Sequence, residues 1–377
     1  MTRLIFLFTS HGSAPGANIP WVPETPAKNK FVSNDGGLPT EGYFYLLRRM
    51  IETGIVDEVL IFIESNRGTG SCRFKRRKGF IPCFVVPDIT YADQYLKPDD
   101  IIWARGGFRS WFSFLNSKKG KHWLILYAAD TGREKWMFWD IIFNDLNEQH
   151  VLDRRGRYWF PFKKPIHEEI FKPLELELKY DVCIGASHIH DKKAQWKMIE
   201  IANEYKKLYG ENLKCVLPGA MRRGAQSSQI PEKIKNYNLD IEMTSMISRQ
   251  QMNTIYNQSK LFVYLGYGGQ NDRGALESLR CGTPVMLASY NRHAFFFKNN
   301  DRIIKIANRP DEFKSMAIEI RNYLQEIDTE KRKETSKFFQ DNSGVETIIL
   351  PEMKRLFDVL KNNEPNYKIL SEEYVNY

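Results

Sequence analysis

Short apolar runs bounded by turn residues alternate with segments of helical period along almost the whole chain, and this alternation admits few folds. In the first half the runs lie at 3–10, 58–64, 80–87, 101–104 and 123–128. A helix is expected at about 41–53, where Phe44, Leu47 and Met50-Ile51 share a face. The pattern then starts again, with strands at 180–187, 213–218, 239–243, 261–266 and 284–289 and helices at about 192–208, 249–258 and 272–281. Near-continuous apolar strands linked by helical crossovers predict parallel sheets covered on both faces. The chain therefore reads as two doubly wound α/β domains. The reset near Phe171-Lys-Pro-Leu174 sets the expected boundaries at 1–173 and 174–345, leaving 346–377 as a helical tail. The stretch 312–363 is helical and charged, suited to packing back on the first domain. Ser248 and Gln251 form a capping box, and Gly282 stands where a helix-ending glycine belongs, with Pro284 beyond it.

A length of 377 residues is enough for two cores. With 42% hydrophobic and 27% charged residues, neither a disordered chain nor a coiled rod is compatible with the composition. No run approaches the roughly 18 apolar residues of a membrane span. The first apolar stretch, RLIFLFTS, lacks the small-residue cleavage site of a signal peptide. A cytoplasmic protein is expected. Five cysteines, an odd number without a C-x-x-C, indicate buried thiols rather than a disulfide framework or a zinc site.

The formal charge of +9 favours an anionic partner. The excess is local, in Arg73-Phe-Lys75-Arg76-Arg77-Lys78, in Lys118-Lys119-Gly-Lys121 and in Arg154-Arg-Gly-Arg157. Each cluster is either a surface for an anionic acceptor or a solvated loop.

After the first strand comes His11-Gly-Ser-Ala-Pro-Gly16, which is neither a G-x-G-x-x-G nor a P-loop, so dinucleotide and ATPase chemistry lose their main support. His188 and His190 have no carboxylate cluster around them, and no G-x-S-x-G elbow is present. The informative segment is Leu265-Gly-Tyr-Gly-Gly-Gln-Asn-Asp-Arg-Gly-Ala-Leu-Glu277-Ser-Leu-Arg-Cys-Gly-Thr-Pro-Val285. A strand runs into a glycine-rich loop, which opens a helix carrying Glu277. Such a loop lets backbone N–H groups approach a phosphate, and the helix start adds partial positive charge. A carboxylate further into the helix suits the vicinal hydroxyls of a ribose.

This segment resembles the donor site of the retaining glycosyltransferases of the GT-B fold, family 4 especially. Their signature is a Glu, seven residues, a second Glu and a Cys-Gly-Thr-Pro-Val-like turn. Glu277 to Val285 matches the second half. The first Glu falls at Gly269, with Gln270 or Asn271 placed to do its work. Ile166-His-Glu-Glu-Ile-Phe171-Lys-Pro173 resembles the phrase that ends the family's first domain, without its Asn-Gly. Gly185 through Ala194 resembles the Gly-Arg…Lys-Gly diphosphate segment. Ala186 or Ser187 stands for the Arg and Lys193 for the Lys, with Lys192 as the neighbouring register. Ser248 through Val263 resembles the segment whose helix ends at a Tyr, here Tyr256. The motifs cover about 165–290; the first half is similar in architecture only.

The resemblance implies a GT-B fold, two Rossmann-like domains facing a cleft with C-terminal helices crossing the junction. It implies retaining transfer of a hexosyl or pentosyl group from a nucleotide-diphosphate sugar, without a metal or other cofactor. Glu277 would hold the donor ribose, and Gly269, Gln270 and Asn271 the sugar. Lys193, Arg222, Arg223 and Arg273 would supply the charge that a departing diphosphate needs. Asp130 is the catalytic candidate, because relatives place a His or His-Asp near there. The acceptor expected is a glycan or glycolipid bound by the first domain. Trp103, Trp111, Phe112, Phe114, Trp123, Trp136 and Trp139 would either stack on it or form core. Peripheral contact with an anionic membrane would use the basic clusters. A DNA glycosyltransferase acting on hydroxymethylated bases is the sharper rival. A GT-B sugar-nucleotide epimerase and a non-catalytic sugar-nucleotide-binding protein are the others.

Overall fold

The computed structural model describes residues 1–9, 42–64, 70–75, 80–105, 110–127, 136, 138–144, 151–153, 157–185, 188–221, 224–245, 247–266, 273–290, 300, 302–363 and 365. They divide into two compact units, Met1–His167 with Val345–Tyr377, and Glu168–Gly344.

The first unit is built on β1 (Arg3–Thr9), α1 (Gly42–Glu52), β2 (Glu58–Glu64), β3 (Gly70–Lys75), β4 (Phe80–Val86), β5 (Ile101–Arg105), α2 (Trp111–Asn116), β6 (Trp123–Tyr127), β7 (Ile141–Asn144), β8 (Val151–Leu152) and β9 (Tyr158–Pro161). The sheet order is β3-β4-β2-β1-β5-β6-β7-β9-β8. The inner seven strands are parallel, and the edge strands β3 and β8 run antiparallel to their neighbours. Successive residues of β1 feed two cores. Leu4 and Phe6 join α1's Tyr43, Leu47 and Met50 on one face, while Ile5 and Leu7 join Ile89, Trp111 and Phe138 on the other. Burial on both faces explains why the strands read as unbroken apolar runs. Gly42 starts α1 because nothing larger fits; a Cβ there would lie 2.0 Å from the Pro165 carbonyl oxygen.

The second unit contains β10 (Tyr180–Ile184), β11 (His188–Ile189), α3 (Gln195–Tyr209), β12 (Cys215–Leu217), β13 (Ala220–Met221), α4 (Ile230–Asn236), β14 (Ile241–Met243), α5 (Arg249–Asn257), β15 (Ser259–Tyr264), α6 (Arg273–Arg280), β16 (Val285–Ala288), β17 (Ile304–Ala307), α7 (Phe313–Gln325) and α8 (Thr329–Ser343). Its main sheet is fully parallel in the order β14-β12-β10-β15-β16-β17, and β11 pairs with β13 beside it. The capping box of α5 is formed: Ser248 Oγ accepts from the Gln251 backbone, and Gln251 Oε1 accepts from the Ser248 N–H. Gly282 has φ +82, and a Cβ there would meet the Arg332 carbonyl oxygen at 2.8 Å. The chain ends its described course in α9 (Leu350–Asn362), whose Met353, Leu356, Phe357 and Leu360 fill the α1 face of the first unit. No helix among the described residues is long and apolar enough to cross a membrane.

Two of the basic clusters differ from the sequence reading. The basic run from Arg73 begins on a strand rather than in a loop, since Arg73 and Lys75 belong to the edge strand β3. Lysines and arginines on an edge strand also discourage edge-to-edge pairing. Arg157 is not in a solvated loop either. It is buried against Asp153, with Nη2 to Oδ2 at 2.6 Å and Nε to the same oxygen at 2.8 Å.

Asp140, just before β7, accepts a 2.8 Å hydrogen bond from the Leu124 N–H, and burial pushes its carboxyl up from 3.8 to about 7. The native state therefore keeps a proton that the unfolded chain releases, so this group's contribution to stability falls as pH rises between those two values. Asp140→Asn preserves an acceptor for Leu124. It should match the wild type near pH 4 and exceed it by about 1–3 kcal/mol near pH 8 in urea unfolding. A variant that tracks the wild type at both pH values refutes this assignment.

Candidate functional site

In the second sheet the chain works outward from β10 to β12 and β14, then returns to place β15 on the other side of β10. The reversal opens a crevice beyond the carboxyl ends of β10 and β15, where ligands of such sheets bind. The segment after β10 begins at Gly185 and carries Lys193. The segment after β15 begins at Leu265 and leads to α6 and Glu277.

Gly185 is required by contact: a Cβ would lie 2.4 Å from the Phe262 ring. The Gln195 side chain then closes the loop, donating to the Gly185 carbonyl at 3.1 Å and accepting from the His190 N–H at 3.2 Å. A 3-10 turn follows at Asp191–Lys193, and Ala194 adopts a left-handed conformation with φ 53 before α3 starts. That geometry costs a non-glycine residue roughly 1–2 kcal/mol. It occurs at the position matched to the family's glycine. Lys193 Nζ lies 5.1 Å from the centre of the Tyr264 ring, at the end of β15, whereas Lys192 is exposed. Of the two lysines, Lys193 is therefore the one that packs at the end of β15.

Asp191 ties this loop to the next, accepting from the Ser227 N–H at 2.7 Å and the Gln226 N–H at 3.3 Å. Burial acts to raise its carboxyl, but these bonds outweigh it and hold the group below its ordinary value. Gly224 allows the approach, since a Cβ there would come within 2.6 Å of Asp191 Oδ1.

Glu277 is 4% exposed on α6. Arg249, the first residue of α5, donates to its Oε1 and pairs with it, and the Tyr256 hydroxyl donates to Oε2 at 3.3 Å. Arg249 also lies 5.9 Å from the Phe171 ring centre, and Phe171 packs on Tyr256. The Phe171-Lys-Pro segment is itself bound to α5: Lys172 N–H donates to Asn253 and Leu174 N–H to Asn257. Three segments named for their sequence resemblance therefore converge on one carboxylate. Arg249 was missed by sequence reading, because a contact between residues 28 apart on different helices leaves no local periodicity.

The mouth of the glycine loop is fixed from below. The fully buried Lys197 Nζ donates to the Tyr290 hydroxyl at 3.0 Å and pairs with Asp311 at 2.6 Å, and the Tyr290 hydroxyl donates to the Leu265 carbonyl at 2.7 Å. Arg273, half-buried, opens α6. Asp130, Arg222, Arg223, Gly269, Gln270, Asn271, Arg76, Arg77 and Lys78 lie outside the described residues, and of Arg73 and Lys75 only the backbone is described. Lys118, Lys119 and Lys121 lie in the turn leading into β6, at the amino ends of the first sheet's strands. Lys118 is ion-paired with Asp93. Among the described residues no three metal-ligating side chains come together.

Residues 166–337 match the family model described as Glycosyl transferases group 1. No curated protein matches the sequence significantly. Among solved structures, sucrose-phosphate synthase from Thermosynechococcus elongatus is similar over 94% of this chain and 98% of its own, with a TM-score of 0.67 at 14% identity. A glycosyltransferase from Rickettsia africae aligns over 96% and 99% with a TM-score of 0.64 at 11% identity. An E. coli trehalose-6-phosphate structure bound with UDP-2-fluoro glucose aligns over 96% and 99% with a TM-score of 0.62 at 11% identity. The fold is that of the GT-B glycosyltransferases, and the match to the group 1 glycosyl transferase model falls almost wholly within the second unit.

Proposed function

We propose that the protein transfers a sugar from a nucleoside-diphosphate sugar, held by the second unit, to a hydroxyl of a glycan or glycolipid acceptor. The observation that carries this reading is the Glu277 carboxylate, buried at the carboxyl end of the sheet and held by Arg249 and Tyr256 inside the segment that matches the family model. Glu277 accepts the ribose hydroxyls. Lys193 faces the diphosphate, with Arg222, Arg223 and Arg273 as the further cations. The bond from the anomeric carbon to the phosphate oxygen breaks as the bond to the acceptor oxygen forms on the same face. The acceptor proton passes to the departing phosphate, so the anomeric configuration is retained and no protein nucleophile is needed. Negative charge grows on the leaving diphosphate, which makes fixed cations worth more in the transition state than in the ground state.

The E. coli structure holds a UDP-sugar, so UDP-glucose is the first donor to test, beside GDP-mannose and ADP-glucose. A ligand at about 100 times its Kd stabilises the native state by roughly 2.7 kcal/mol. One of the three should raise the melting temperature by several degrees; a flat response to all three counts against the donor assignment.

A further inference from the structure

The carboxyl ends of the first sheet carry a second buried carboxylate that donor chemistry leaves unused. This sheet reverses between β1 and β5, so a ligand of the first unit finds its crevice beyond their carboxyl ends. Glu64 ends β2 directly beside Thr9 of β1. By strand alternation its side chain leaves on the face of Leu60 and Phe62, where Trp111 and Ile89 lie.

Glu64 is 8% exposed. Its Oε2 accepts two hydrogen bonds, from the Trp111 indole N–H at 2.6 Å and the Ile89 backbone N–H at 2.9 Å. Its Oε1 has no hydrogen-bond partner among the described residues. Burial raises this carboxyl above its ordinary value despite both bonds. Two donors on one oxygen fix the plane of the group and leave the other oxygen aimed in one direction. Oε1 is not among the buried unsatisfied atoms and so is open to a ligand, and carboxylates shifted by burial with one open oxygen concentrate at sites of function.

The second observation is aromatic. Trp103, Trp111, Phe114, Trp123 and Trp139 are buried, which settles them as core. Phe112 is 44% exposed, and its ring stands 5.5 Å from the half-buried Trp136 at 87°. Phe112 follows Trp111 on α2, so one short helix both anchors the carboxylate and presents the ring.

We infer that Glu64, with Phe112 and Trp136, forms the acceptor-recognition site of the first unit, and that it takes a neutral polyhydroxylated ring. The carboxylate accepts hydrogen bonds from sugar hydroxyls while the aromatic edge covers a C–H face. A carboxylate repels phosphate, so neither a DNA backbone nor a sugar phosphate group is placed at this point. The inference rests on the transferase reading for its purpose.

Its test is separate from that reading. Binding of maltose and methyl glucosides to the full-length protein is measured by saturation-transfer NMR and titration for wild type, Glu64→Gln and Phe112→Ala. Inorganic phosphate is the anionic probe, and UDP-glucose thermal shifts are recorded in parallel. Glu64→Gln keeps the shape and can still accept from Trp111 and Ile89, and Phe112 is a surface ring, so both variants should fold. Each should bind the neutral sugars about tenfold more weakly, the order expected from losing a charge-assisted bond or a stacking face. The UDP-glucose response should equal that of the wild type. Neutral sugars that fail to bind wild type, that bind both variants equally well, or that bind wild type more weakly than phosphate overturn the inference. If instead the sugars behave as stated but no nucleotide-sugar binds, the transferase reading falls and the carbohydrate site stands.

Discussion

Glu277→Gln should fold like the wild type and bind nucleoside-diphosphate sugars roughly ten- to a hundredfold more weakly, the about 1.5–3 kcal/mol of a hydrogen bond to a charged group. The choice of glutamine matters. Glu277 and Arg249 form a pair whose side chains are only 5% and 17% exposed. Removing one member of such a pair outright strands the other charge and costs about 3–5 kcal/mol of stability. Glu277→Ala would therefore confuse loss of fold with loss of ligand. Glutamine keeps the volume and an acceptor for Arg249 or Tyr256 while removing the charge offered to the ribose. Titration of the folded variant decides it: donor affinity equal to the wild type removes Glu277 from the donor site.

Lys193→Ala should lower kcat by about a hundredfold while weakening donor binding by less, because its charge acts most on the diphosphate as it departs. Lys192→Ala is the matched control, since Lys192 is exposed and Lys193 alone lies against Tyr264. It should keep wild-type turnover. If Lys192→Ala loses turnover and Lys193→Ala does not, the segment is in the other register and the assignment at Lys193 is withdrawn.

Most of the sheet scaffold was legible because strands buried on both faces must be apolar throughout, as in EVLIFIE of β2 and LFVY of β15. β17 went unread because Lys305 interrupts its short apolar run, Ile304–Ala307. β3 stayed hidden behind its own charges, since an edge strand can be basic without disturbing a core. The start of α3 was misplaced by three residues because nothing in the letters Lys-Lys-Ala announces a left-handed alanine. For the site, residue types and order were readable, but their meeting was not. Glu277 and Tyr256 could be named separately; that Arg249 clamps the same carboxylate depends on how α5 packs against α6. The aromatic run around 103–139 gave its composition at once and its burial only in the folded chain, where two of the seven rings remain reachable.

The most direct measurement of the central claim is transfer itself. Wild-type protein is incubated with labelled UDP-glucose, GDP-mannose or ADP-glucose and a panel of neutral glycans and glycolipids, and the products are read by mass and by the NMR coupling at the new anomeric carbon. The account predicts acceptor-dependent release of the nucleoside diphosphate and a product one sugar larger, with the α configuration of the donor retained. Product of the β configuration, or a donor that binds while no acceptor in the panel gains a sugar, would contradict it.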